Sequence, residues 1–186
     1  MDNKNKLIIL DIDETLIHST ETSLSSNPDF IIAPYYIYKR PYVDEFLLYC
    51  RKEFEVAIWT SGTADYALAI INALFPKDYP LAFSFFRDRC TSRYNYSTGS
   101  FDQIKDLKKV KRKGYALHNV LMIEDSPENL ARQYSNVIPI ESFTGDSSDN
   151  ELQHLIVFLD LLKTVEDVRK IEKRDWKNRL KTRNAH

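Results

Sequence analysis

Short aliphatic runs that stop abruptly at polar residues recur along this chain. The first, Leu7-Ile8-Ile9-Leu10, is continuous rather than alternating, the pattern of a strand buried on both faces. Glu55-Val56-Ala57-Ile58-Trp59-Thr60 and Asn119-Val120-Leu121-Met122-Ile123-Glu124-Asp125 repeat the pattern, and Val137-Ile138-Pro139-Ile140 is a shorter instance. Between these runs, apolar residues fall at helical spacing over residues 40–50, 64–74 and 150–162. Pro41 suits a first turn and Pro76 halts the second helix. Strands alternating with helices predict an α/β domain of Rossmann-like type, a central parallel sheet flanked by helices.

The segments between these elements are less regular. Residues 19–29 are polar and loop-like, and residues 30–38, β-branched and aromatic, read as a further strand. Residues 76–104 are irregular and aromatic and read as a small insertion, with a short strand around Phe83-Ser84-Phe85-Phe86 and no large cap domain. Ser126-Pro127-Glu128-Asn129 has the chemistry of a helix start. One domain is expected over residues 1–165. A basic helix or tail should follow over 166–186, helical at first, with Val165, Val168 and Ile171 on one face.

Composition narrows the class. At 186 residues, 43% hydrophobic and 28% charged, the chain fits one globular domain. A net charge of -1 supplies no global attraction to nucleic acid or to an anionic membrane. No apolar run approaches the ~20 residues of a membrane span. Residues 1–6 lead straight into the first strand, so no signal peptide is expected. Cys50 and Cys90 are too few for a disulfide framework, and neither has a zinc-binding companion. A cytoplasmic monomer is therefore expected, with the nucleus as a second location in a eukaryote.

The candidate chemistry sits where the strands stop. Asp11 and Asp13 form D-x-D-x-T with Thr15 directly after a hydrophobic strand. Carboxylates at such a strand end need something to offset their charge, and a bound cation does so. Open α/β sheets bind ligands at the carboxyl ends of their strands. Phosphoryl transfer through a carboxylate needs a nucleophile, an acid/base, a divalent cation and donors for the phosphoryl oxygens. Asp11 and Asp13 can supply the first two, Asp125 with Glu124 a hard-cation ligand, and Thr60 and Lys105 the donors.

Those residues also carry a family resemblance. The chain resembles haloacid dehalogenase superfamily phosphatases, in particular the small phosphatases acting on the C-terminal domain of RNA polymerase II. The matching segments, across about residues 6–170, are Leu10 to Ser19, Lys39 to Leu47, Trp59-Thr60-Ser61-Gly62 with Asp65-Tyr66-Ala67, Ile104-Lys105-Asp106-Leu107, Ile123 to Asn129, and Asp146 to Leu152. The resemblance implies Asp11 as a nucleophile forming a phosphoaspartate and Asp13 as the acid/base. It implies Mg2+ held by Asp11, the Asp13 backbone carbonyl and Asp125, with Thr60, Ser61 and Lys105 on the phosphate and Thr15 in support. Where the family usually has Asp followed by Asn or Asp, this chain has Glu124-Asp125. The longer Glu124 reaches the metal through water or only orients Lys105.

The expected function is a Mg2+-dependent phosphomonoesterase acting on phosphoserine or phosphothreonine in an exposed protein or peptide segment. The same chemistry on a nucleic-acid end or a small phosphate ester is one alternative, and a catalytically silent binding module is another. Phe83, Phe85, Phe86, Tyr94 and Tyr96 are candidates for a peptide-docking surface, with core packing accounting for at least half of them.

Overall fold

The computed structural model describes residues 6–130 and 133–183. The first half contains β1 (Leu7–Leu10), β2 (Ile17–Thr20), β3 (Phe30–Ile32), β4 (Tyr35–Lys39), α1 (Val43–Glu53), β5 (Glu55–Trp59), α2 (Ala64–Leu74) and β6 (Leu81–Phe85). The second contains β7 (Thr91–Asn95), β8 (Ser100–Ile104), α3 (Lys108–Arg112), β9 (Val120–Glu124), β10 (Val137–Pro139), α4 (Glu151–Leu162) and α5 (Trp176–Arg183).

Five of the strands form one parallel sheet of order β10-β9-β1-β5-β6, with Leu10 opposite both Ile58 and Ile123. Ile8, Leu10, Val56, Ile58, Leu121 and Ile123 face a layer built by α1, α2 and α4. Leu7, Ile9, Ala57, Trp59, Val120 and Met122 face the other side, covered by Leu107 and by Val110 of α3. Both faces are thus dry, which is why these strands are continuous apolar runs. Each such aliphatic side chain contributes about 1.5–3 kcal/mol relative to exposure.

Several local expectations are revised. Residues 30–38 are not one strand: the chain turns at Ala33-Pro34, and β2, β4 and β3 make a small antiparallel sheet. β2, with only Ile17 buried, lacked any recognisable period. α1 starts at Val43 rather than near Arg40, because Tyr42 is left-handed (φ 65) and interrupts the helical backbone. The Ser126-Pro127 start yields a single 3-10 turn, Pro127–Asn129, while residues 131 and 132 lie outside the described residues.

The insertion is also smaller than 76–104. β6 pairs with β5 in the main sheet, and Phe83 and Phe85 are buried core residues. The added part is the β7–β8 hairpin, on which Tyr94 and Tyr96 are exposed; Phe86 packs half-buried against the core. At the other end, α4 stops at Leu162, and a 3-10 turn at Val168–Lys170 replaces the expected helical start of the tail. Trp176 is then buried, stacks on Phe158 with ring centroids 5.5 Å apart, and donates its indole N–H to Pro139 O at 2.8 Å. The basic segment therefore covers the β10 edge through its few apolar residues.

Candidate active site

Three neighbouring parallel strands, β5, β1 and β9, end at Thr60, Asp11 and Asp125. Strands lie about 4.8 Å apart, so residues at adjacent ends can share one ligand. The ladder runs up to the nucleophile candidate: Asp11 N–H donates to Ile123 O at 3.2 Å. Asp11, Thr60, Lys105 and Glu124 are all buried, whereas Asp13 and Asp125 are half-buried at the crevice.

The chain turns sharply after Asp11. The N–H groups of Thr15, Leu16 and Ile17 all point to Ile12 O, at 3.3, 2.8 and 3.3 Å. Glu14 takes a left-handed backbone (φ 54), a strained state for a side chain of this kind. Surrounding bonds hold it there. Phe143 N–H donates to Glu14 O at 2.7 Å, and the buried Arg40 guanidinium donates to Thr15 O at 3.2 Å and Glu141 O at 2.8 Å. Arg40 is itself clamped by Asp149 through bonds of 3.0 and 2.8 Å. Thr15's hydroxyl has no hydrogen-bond partner among the described residues, so its contacts to the turn run through its backbone.

Lys105 Nζ sits 2.7 Å from Asp11 Oδ1 and 2.7 Å from Glu124 Oε2. Burial alone would lower its pKa; the charges of Asp11 and Glu124 override that and hold it above the ordinary lysine value. The acids shift the other way. Burial raises Asp11, partly offset by Lys105, and burial with the Asp11 charge lifts Glu124 to about 8. Asp11, Glu124 and Asp125 each present a carboxylate oxygen within 4.8 Å of one another. Ser142 Oγ and Ser126 Oγ donate to Asp125 Oδ2 at 2.7 and 3.3 Å and aim its other oxygen.

One ammonium faces three carboxylates here, and Glu124 Oε1 is buried with no hydrogen-bond partner among the described residues. An all-oxygen donor set with excess negative charge fits a hard divalent cation such as Mg2+. Glu124 Oε2 accepts from Lys105 Nζ at 2.7 Å, which leaves Oε1 without a partner among the described residues.

Asp13 accepts a hydrogen bond from the Tyr66 hydroxyl at 2.5 Å. Burial lifts its carboxyl to about 6, opposed by that hydrogen bond. Tyr66 reaches across because Gly62 leaves room: a Cβ there would lie 3.1 Å from the Tyr66 ring and 3.3 Å from Thr60 Oγ1. The Thr60 hydroxyl in turn accepts from Gly62 N–H at 3.0 Å.

Asp13, Ser61 and Tyr66 line a crevice of about 410 Å3, with Arg87 at its rim donating to Ser61 O at 2.7 Å. Asp11, Asp13, Thr15, Thr60, Ser61, Lys105, Glu124 and Asp125 thus lie around one end of the sheet, whereas the aromatic candidates Phe83 and Phe85 are core. Tyr66, Arg87 and Ser142 were not assigned roles from sequence. Tyr66 lay inside a quoted motif, but neither Arg87 nor Ser142 carries a local signal. A larger groove of about 690 Å3 lies along β10 and residues 169–174 and contains none of the predicted site residues.

The family described as NLI interacting factor-like phosphatase matches residues 6–169. A Dictyostelium discoideum protein named as a probable C-terminal domain small phosphatase is 34% identical over 172 residues, covering 88% of this chain and 53% of that one. The Xenopus laevis CTD nuclear envelope phosphatase 1 is 32% identical over 187 residues, covering 92% of this chain and 73% of that one. Among solved structures, fission yeast RNA polymerase II CTD phosphatase Fcp1 bound to beryllium fluoride superposes with a TM-score of 0.58 at 18% identity. It covers 98% of this chain and 50% of that chain, and the likeness is one of fold. The chain spans about half the length of the Dictyostelium protein.

Proposed function

The chain belongs to the NLI interacting factor-like phosphatases, and on that premise we propose that it is a Mg2+-dependent phosphomonoesterase acting on phosphoserine or phosphothreonine in protein segments. The observation that carries this reading is Lys105 bonded to Asp11 and Glu124, with carboxylate oxygens of Asp11, Glu124 and Asp125 within 4.8 Å of one another at one end of the sheet. The names of relatives that act on a C-terminal domain support a protein substrate. So does the shape of the site. The elements between β1 and α1 are three short strands, and Asp13 lies half-open beside them. A small metabolite needs a lid to exclude water, whereas a macromolecular segment can itself cover the crevice.

The Asp11 carboxylate attacks phosphorus, forming a phosphoaspartate as the ester P–O bond breaks. Asp13, as the acid, gives its proton to the leaving oxygen. As the base, Asp13 then takes a proton from the water that attacks phosphorus, releasing phosphate and restoring the Asp11 carboxylate. Asp13 performs both roles from one position because Tyr66 holds Oδ1. Lys105, the Thr60 hydroxyl and Ser61 would receive the phosphoryl oxygens, the Thr60 N–H being held by Phe85 O. Asp11, the Asp13 carbonyl and Asp125 would hold Mg2+, which would neutralise charge on the transferred group.

The protein would act as a monomer in the cytoplasm or nucleus. The name of the Xenopus relative, a nuclear envelope phosphatase, supports a place at or in the nucleus. No helix among the described residues is long and apolar enough to cross a membrane. Hydrolysis of p-nitrophenyl phosphate with and without Mg2+ tests the chemistry. Turnover should require Mg2+, and no turnover with the metal present would refute it.

A further inference from the structure

The β7–β8 hairpin carries aromatic residues that no core explains. Its register places Ser92 opposite Gln103 and Tyr94 opposite Phe101, and alternation keeps these four residues on one face, with Tyr96 at the start of the turn packed against Tyr94. Tyr94 is 43% exposed, Phe101 64% and Tyr96 91%. The Tyr94 ring meets those of Tyr96 and Phe101 edge to face, with centroids 5.0 and 5.2 Å away, and none of the three belongs to either core cluster. Isolated exposed apolar residues are ordinary, but a contiguous aromatic cluster on a hairpin marks an interaction surface.

That face is continuous with the candidate active site. At the hairpin root, Gln103 Nε2 donates to Ser92 Oγ at 2.9 Å, and both residues line a depression with Thr63, Arg87 and Cys90. Thr63 and Arg87 also line the crevice that holds Asp13. The root is fixed: Lys109 Nζ donates to Arg89 O and Cys90 O, and β8 runs directly into Lys105. Arg87, at the junction, forms no ion pair among the described residues, so its charge is available to an anionic segment. Strand rise puts Tyr94 about 7 Å outward from Ser92, with Tyr96 at the turn against it.

We propose that this hairpin face docks the same phosphorylated segment whose phosphate enters the crevice. It would take an apolar side chain roughly three to five residues from the phosphorylated one, the distance an extended chain spans. The proposal rests on the phosphatase reading. The hairpin would select substrates by sequence while the crevice does the chemistry, so its loss should raise KM for peptides and spare small phosphate esters.

The test uses two synthetic phosphoserine peptides, identical except for leucines or glutamines at about the third to fifth positions on both sides, with p-nitrophenyl phosphate alongside. The wild type should favour the leucine peptide by about tenfold in kcat/KM, mainly through KM. The double variant Tyr94→Ser, Phe101→Ser should lose that preference with p-nitrophenyl phosphate turnover unchanged. Tyr96→Ser, whose side chain is almost wholly exposed, should reduce it without touching the fold. No preference in the wild type, or a preference that survives in both variants, would overturn the docking surface while leaving the phosphatase reading standing. A change in oligomeric mass with peptide preference intact would assign the face to self-association and overturn it equally. A wild type that hydrolyses none of the three substrates would overturn the phosphatase reading and the docking surface with it.

Discussion

The Tyr66 hydroxyl donates to Asp13 Oδ1 at 2.5 Å, tying α2 to the loop after β1. Burial holds the Asp13 carboxyl near 6, and the Tyr66 bond, which favours the ionised form, pulls it down. The proposed acid must be protonated to release the ester oxygen, so kcat/KM should fall as pH rises through this pKa. Tyr66→Phe removes the stabilisation of the carboxylate and raises the pKa. The alkaline limb of the kcat/KM profile for a phosphoserine peptide should therefore move to higher pH. A limb that stays put or moves down would contradict the role of Tyr66.

Among the described residues Lys105 is the one cation between Asp11 and Glu124, and all three side chains are buried. Lys105→Met would leave two buried carboxylates unpaired and lower stability by about 3–5 kcal/mol, with activity lost. Urea denaturation without Mg2+ gives the number. Wild-type stability in the variant would mean that the carboxylates are not ionised in the fold.

Much of this was legible in the chain. β1, β5 and β9 were readable because both faces of each are dry, leaving continuous apolar runs that end at the site residues. The positions of Asp11, Thr60 and Asp125 followed from that alone. What was not legible depended on distant partners. A short strand was readable around Phe83–Phe86, but its place at the edge of the main sheet was not, because that is set by pairing with β5 rather than by its own period. Arg87 lay in an irregular, aromatic stretch with no signal of its own until the fold brought it beside Ser61. Trp176 sat in a run of charges, and only its stacking on Phe158 places it in the core.

Arg40 is a test of how rigid the turn after Asp11 must be. Its guanidinium grips Asp149 with two bonds and Thr15 O and Glu141 O with others. Lysine keeps the charge and loses the fork, so Arg40→Lys should destabilise by about 1.5–3 kcal/mol. Activity should drop further than folding does, because Glu14 and Thr15 would be free to shift. A denaturation midpoint equal to wild type would show that the clamp is dispensable.

The acidic cluster should be visible without any catalysis. At a free Mg2+ concentration of about 100 Kd, binding stabilises the folded state by about 2.7 kcal/mol, roughly 5–10 °C in Tm for a domain of this size. Asp125→Asn should shrink that rise. EDTA should reverse it and stop turnover in the wild type. An identical Mg2+ response in Asp125→Asn would place the metal elsewhere.

The most direct test of the central claim is to quench the turning-over enzyme in acid with a 32P-labelled phosphoserine peptide and locate the label. A hydroxylamine-labile phosphoryl group on Asp11, missing from Asp11→Asn, is the predicted result. Turnover with no covalent label, or label retained in Asp11→Asn, would contradict the aspartyl-phosphate mechanism.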